Sequence, residues 1–173
     1  FVTLADVVNE VGKDVVRFTM LTRKADAQMD FDFAKVVEAS KDNPVFYVQY
    51  AHARIASLGR RVAEAFSGGL PVPDLSRFGA EELDLVKQLA NFPRVVEAAA
   101  NAREPHRIAF YLYDLAASFH GWWNLGNDQP DRRVIQADDA VLTATRLHLS
   151  AGIGQVIKNG LALMGVAALE EMS

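Results

Sequence analysis

This sequence predicts an all-α fold: an antiparallel helical bundle with a small N-terminal connector of helix and extended chain. Three observations lead there. Apolar residues recur at spacings of three and four over most of the chain. Proline and glycine clusters cut that pattern into segments of helical length. A single short stretch, Ala25 to Phe33, alternates as a strand would.

Taken in order, residues 4–21 carry Val7, Val8, Val11, Val15, Val16, Phe18 and Leu21 at helical spacing, with Thr3 or Asp6 placed to cap. Met29, Phe31 and Phe33 then share one side of an extended segment, and Asp30 and Asp32 the other. A short helix is expected over 34–40. Asp42 or Asn43 caps a long helix that has Pro44 in its first turn, where a missing N–H is harmless, and that runs to about Phe66. Ser67 to Asp74 reads as a loop. A helix over 80–91 should stop where Pro93 opens the next, to about Ala102. Pro105 opens another, to about Asn124. Residues 125–136 form a second loop, and 137–163 a final helix with a weak point at Gly152 and Gly154. Gly165 ends it, and an irregular tail comes after. The expected organisation is a connector over 1–40 and a helical domain over 41–173.

Bulk properties narrow the function. The chain has 173 residues, half of them apolar, enough for one well-buried domain. No apolar run is long enough to span a bilayer. Nothing resembles a secretory leader, and zero cysteines fit a reducing, cytoplasmic setting and exclude thiolate metal sites. The net charge of −4 argues against indiscriminate polyanion binding, while leaving room for a local basic stripe.

The stretch Asn43-Pro-Val-Phe-Tyr-Val-Gln-Tyr-Ala-His-Ala-Arg-Ile55 carries most of the functional signal. On a helix, Val45, Val48, His52, Ile55, Val62 and Phe66 fall on one stripe, which should be buried, with His52 a hydrogen-bonded core histidine. Tyr47, Tyr50, Arg54 and Arg61 fall on another, roughly 140° away. Two rings and two guanidiniums in a line suit the stacking of unpaired bases and the holding of phosphates. The same residue types also suit a helix–helix seam or a protein-binding hot spot, and the pattern alone leaves these open. Further on, Trp122 and Trp123 close a helix beside a polar loop. Trp122 should bury against Phe119, and Trp123 should face outward as a stacking platform.

The words DNPVFYVQYAHARI resemble the opening helix of the anticodon-binding domain of arginyl-tRNA synthetase. Residues 1–34 (FVTLADVVNEVGKDVVRFTMLTRKADAQMDFDFA) are similar to the segment after the nucleotide-binding lysine loop in that family, and QVIKNGLALMGVAALEEMS to its carboxyl terminus. The resemblance covers nearly the whole chain and is weakest between Phe66 and Pro105. It implies that Tyr47, Tyr50 and Arg54 face the anticodon loop. It places Trp123 where the family usually has a contacting tyrosine, which keeps the π face and loses the hydroxyl. It also implies that Met172 reaches the anticodon bases from the tail. Here that tail reads Leu169-Glu-Glu-Met-Ser173, with Glu171 at the family's basic position. Arg61, without family support, is a candidate additional RNA contact.

By the same resemblance, the parent enzyme joins arginine to its tRNA using ATP and Mg²⁺ in a catalytic domain that would precede Phe1. This fragment would carry no catalytic residue, cofactor or metal, and would be inactive alone. Its partner would be the tRNA for arginine, met through the anticodon loop, with no membrane or DNA involved and the protein a monomer. The residues agree with the absence of chemistry: there is no Glu-x-x-His, no phosphate-binding G-x-x-x-x-G-K-[ST], and no metal spacing among His106, His120 and His148. Asp26, Asp30 and Asp32 read as the solvated side of an extended segment. The remaining alternatives are a helical protein-interaction module and the anticodon-binding domain of another class I synthetase.

Overall fold

The computed structural model describes residues 3–24 and 43–172. Every regular element among them is helical: α1 (Leu4–Val11), α2 (Lys13–Leu21), α3 (Pro44–Ala65), α4 (Ala80–Ala102), α5 (His106–Asp128) and α6 (Ala140–Leu163), with one-turn 3₁₀ segments at Leu75–Arg77 and Pro130–Arg132. The extended segment expected over 25–33, the helix over 34–40 and the three aspartates between them lie outside the described residues.

Two of the caps, at Thr3 and Asn43, are those the sequence offered. Thr3 Oγ1 accepts from the Asp6 amide, and Asp6 in turn accepts from the Thr3 amide at 2.9 Å, a reciprocal capping box. Asn43 Oδ1 accepts from the Val45 amide behind Pro44. The helix opened by Pro105 runs on to Asp128, past the expected end near Asn124, the last helix starts at Ala140 instead of 137, and two larger differences concern Gly12 and Pro93. Residues 4–21 are two helices, because Gly12 sits at φ +84°, ψ 152°, a conformation that glycine adopts at little cost and that stops a helix. Conversely, Pro93 does not divide α4. It lies on the exposed side of a continuous 23-residue helix. Leu89, Phe92 and Val95 on either side of it pack on the core, and that packing holds the helix together across the N–H that proline lacks. Gly152 and Gly154 do not interrupt α6, which begins at Ala140 with the Asp139 carboxylate accepting from Leu142 N.

At the centre lies α5, in contact with α2, α3, α4 and α6. Leu112, Leu115 and Phe119 from it meet Val45, Val48 and Leu58 of α3, Ile153, Ile157 and Leu161 of α6, and Phe18 of α2, all essentially without solvent contact. Each such side chain contributes about 1.5–3 kcal/mol by leaving water. The α5–α6 approach is close because residue 160 is glycine: a Cβ there would stand 2.6 Å from Leu112 Cδ2.

One buried ion pair ties the far end together. Arg146 Nε donates to Glu82 Oε1 at 3.2 Å, with both side chains nearly sealed. Trp122 Nε1 donates to the same oxygen, and the Gly79 amide donates to Oε2. Arg146 Nη1 spends its protons on the Asp131 and Arg133 carbonyls. Both charges are therefore hydrogen-bonded on several sides, the condition for burying such a pair.

Candidate nucleic-acid interface

Position 120 organises the site. The imidazole of His120 is buried between α3 and α5, with the Tyr47 ring centroid 4.7 Å away and the Tyr50 ring stacked at 5.6 Å and 27°. Arg54 Nη1 donates to His120 Nδ1 at 3.1 Å, which puts the ring proton on Nε2, facing the Tyr47 carbonyl at 3.4 Å. Burial, aided by the Arg54 charge and opposed by the Tyr47 carbonyl, pushes the imidazole down to about 4, so it is neutral at physiological pH.

Arg54 is held on three sides. Its Nη2 donates to the Tyr50 hydroxyl at 2.8 Å. Its Cζ stands 4.6 Å from the Tyr50 ring centroid and 5.3 Å from that of Trp123. Two of its five N–H groups are engaged in these bonds. The rest are free to meet a phosphate or a base edge. Tyr50, Arg54 and Trp123 thus form one fixed π–cation–π edge, built from one turn of α3 and the last turns of α5.

That edge lines an open cleft of about 500 Å³, together with Arg60, Arg61, Glu170, Glu171 and Met172. Arg61, Trp123 and Leu58 also line an adjoining cleft of about 510 Å³ toward Asn127, Arg133 and Ile135. The lining mixes apolar faces (Leu58, Trp123, Met172) with guanidiniums and with the Glu170 and Glu171 carboxylates, so it offers rings and cations side by side.

The C-terminal tail closes one side. Arg17 Nε donates to the Met164 carbonyl at 2.7 Å, and the Ala167 amide donates to Asp14 Oδ2. Gln49 Nε2 donates to the Ala167 carbonyl, and His52 Nδ1 to the Leu169 carbonyl at 2.7 Å. Glu171 then reaches Arg60 at 3.5 Å, and Met172 enters the cleft half-buried.

The residues singled out from sequence mostly converge. Tyr50, Arg54, Arg61, Trp123 and Met172 share the cleft. Tyr50 is 45% exposed, and Trp122 is buried against Phe119, leaving the outer position to Trp123. Tyr47 departs from its stripe: it sits behind His120, half-buried against Tyr113 at 5.2 Å, and does not line the cleft. Desolvation and the neighbouring Tyr113 raise its phenol, against a smaller lowering by Arg54. His52 departs too, being a half-buried clamp on the tail and not a core residue. Among the described residues, no group of three or more histidine or acidic side chains is placed to hold a metal ion. None of their helices is long and apolar enough to cross a membrane.

Comparison with known proteins decides the family. Residues 48–172 match the DALR anticodon binding domain. The chain belongs to that family. Its DALR region begins one residue after Tyr47 and includes every residue that lines the Tyr50–Arg54–Trp123 cleft. The whole chain is similar to the arginine–tRNA ligase of Novosphingobium aromaticivorans (68% identical, covering 99% of this chain and 29% of that protein) and to that of Parvibaculum lavamentivorans (58% identical, 99% and 30%). It superposes on the arginyl-tRNA synthetase of Thermus thermophilus with a TM-score of 0.81 at 35% identity, over 94% of this chain and 27% of that one. The chain therefore spans about three-tenths of the length of the curated relatives it matches.

Two features of this DALR domain escaped sequence reasoning. His120 shares a helical stripe with Ala116, Phe119 and Trp123, a three–four–seven spacing that could have pointed to it. The Glu82–Arg146 pair joins residues 64 apart in sequence, and no local pattern announces it.

Proposed function

We propose that this chain is the tRNA-selecting portion of an arginine–tRNA ligase and that its cleft receives the anticodon loop of the tRNA for arginine. The observation that carries the reading is the Tyr50–Arg54–Trp123 edge, open to solvent within a DALR domain whose relatives bear the ligase name. Tyr50 and Trp123 stack unpaired bases, Arg54 and Arg61 meet phosphates or base edges, and Met172 covers the stack from the tail. Tyr47, packed on Tyr113 and His120, supports the edge from behind. Each stacked base is worth about 1–3 kcal/mol, so two platforms supply useful affinity on a chain of net negative charge.

In this reading residues 1–40 connect the domain to a catalytic region, and 41–173 recognise the RNA. ATP and Mg²⁺ belong to that catalytic region, so the chain alone binds tRNA without charging it, as a monomer in the cytoplasm. Val15 and Phe18 of α2 are buried in the same core as α3, so this part of the connector packs directly on the recognition domain.

The test is binding of this chain to an arginine-accepting anticodon stem-loop and to the same loop altered at its middle base. A preference of tenfold or more, about 1.4 kcal/mol, is expected. Equal affinity for the two loops contradicts the assignment.

A further inference from the structure

From residue 166 to residue 172 the chain forms no regular secondary structure, so its backbone polar groups need partners elsewhere. Side chains of two distant helices supply them. From α2, Arg17 Nε donates to the Met164 carbonyl at 2.7 Å, and Asp14 Oδ2 accepts from the Ala167 amide at 3.1 Å. From α3, Gln49 Nε2 donates to the Ala167 carbonyl at 2.9 Å, and His52 Nδ1 to the Leu169 carbonyl at 2.7 Å. Ala167 is thus gripped at its N–H from one helix and at its C=O from another.

Three features fit this fastening. Gln49 is only 3% exposed, and a buried amide is unfavourable unless it is hydrogen-bonded; the tail carbonyl meets its donor. Asp14 Oδ1 is sealed from solvent without a hydrogen-bond partner among the described residues, so α2 keeps a half-buried carboxylate whose printed bond goes to the tail. Gly165 holds φ +67° directly beneath Arg17, where a Cβ would stand 2.5 Å from Arg17 Nε. Met164 and Val166, on either side of that glycine, are buried in the core.

We infer that Asp14 and Arg17 are positioning residues for the cleft: from α2 they fix the C-terminal tail before any RNA arrives, and so hold Glu171 and Met172 at the Tyr50–Arg54–Trp123 edge. That this readies the cleft for RNA rests on the proposed function; the anchoring does not. The physical effect is a short tether. Met172 lies three residues beyond the last anchor at Leu169, a reach of roughly 10 Å. With every anchor released back to Met164, the tether is eight residues long and reaches roughly 27 Å. The local concentration of a tethered group falls roughly as the −3/2 power of tether length, about fourfold here. A tail already in place also spares the complex the entropy of ordering it.

The anchoring is read first without RNA. In the wild type, the Ala167 amide should exchange with solvent about tenfold or more slowly than in an unfolded chain. Asp14→Ala should lose that protection, and Asp14→Asn, which retains an accepting oxygen, should keep it. With methionine methyls labelled, the Met172 signal should move to its unstructured position in the double variant Asp14→Ala/Arg17→Met. An unprotected Ala167 amide in the wild type, or a Met172 signal indifferent to the double variant, overturns the inference.

The effect on binding is read with the arginine-accepting anticodon stem-loop in a four-way comparison: the full chain and a chain ending at Leu169, each with and without the double variant. In the full chain the double variant should bind about two- to fourfold more weakly, and Asp14→Asn as tightly as the wild type. In the shortened chain the double variant should change nothing, because the group it positions is gone. An equal loss in both chains overturns the inference, since Asp14 and Arg17 would then serve the bundle and not the tail. Absence of loop discrimination in the wild type strikes the anticodon reading instead, and the Ala167 and Met172 signals still decide whether α2 sets the tail.

Discussion

Arg54 donates to the neutral ring of His120 at 3.1 Å, and through that bond a buried histidine on α5 sets the direction of the guanidinium that α3 presents to the cleft. The bond depends on the protonation state. A charged imidazole has no lone pair on Nδ1 and repels Arg54.

Acid should therefore act on the fold and on the site together. A histidine lowered from its ordinary 6.5 to about 4 in the folded chain binds protons more readily when unfolded. The stability it contributes is complete above pH 6.5 and is lost as pH falls from 6.5 toward 4. Thermal melts from pH 7.5 to 4.5 should show a declining Tm, with a shallower decline in His120→Gln. Asp139, held down at about 2 by its hydrogen bonds to Arg77, adds its own loss only at lower pH. Parallel declines in the two proteins would remove His120 from this role.

Tyr50 has two separable duties, a ring face and a hydroxyl bonded to Arg54. Tyr50→Ala should weaken stem-loop binding about tenfold or more, the worth of one stacked base, with helix content unchanged by circular dichroism. Tyr50→Phe keeps the ring and frees Arg54 Nη2, so its loss should be smaller, two- to fivefold. Calorimetric titration of both variants checks the order. Equal losses would assign the whole effect to the hydroxyl.

Glu82 is a stability residue that does not line the cleft proposed to meet RNA. Glu82→Ala strands the Arg146 charge and leaves Trp122 Nε1 without its acceptor, and should cost about 3–5 kcal/mol in chemical denaturation. The double variant Glu82→Leu/Arg146→Met should recover much of that loss, because paired removal leaves no orphan charge. A single variant within 1 kcal/mol of the wild type would show that the pair contributes little.

Much of this molecule was legible in its sequence, and the exceptions have physical causes. Helix caps at Thr3 and Asn43 are local chemistry. The buried face of α3 is a periodicity, and it placed Val45, Val48, Ile55 and Val62 correctly. Pro93 misled because its cost is local while the packing of Leu89, Phe92 and Val95 is tertiary. Gly12 was overlooked because apolar spacing continues across it unchanged. At the cleft, residue types identified Tyr50, Arg54 and Trp123. Tyr47 retreats behind His120 because α5 delivers an imidazole and Tyr113 to that spot, a fact of helix packing that no single helix encodes.

Gly160 tests the packing of α5 on α6. Gly160→Ala places a methyl group 2.6 Å from Leu112 Cδ2, and Leu112 is fully buried with nowhere open to turn. The variant should lose about 1–3 kcal/mol by overpacking, against the gain in helix propensity that alanine gives at an exposed site. Urea denaturation measures the difference. A stabilised variant would mean that the two helices part easily.

Trp123 offers the most direct measurement of all. The chain has two tryptophans, one buried and one at the cleft, so Trp123→Phe isolates the emission of each. Titrating the wild type with the arginine-accepting anticodon stem-loop should quench fluorescence saturably, at the affinity found by calorimetry, and Trp123→Phe should lose that quench while remaining folded. Tight binding with Trp123 emission unchanged would contradict the account, because it would place the RNA somewhere other than the edge formed by Tyr50, Arg54 and Trp123.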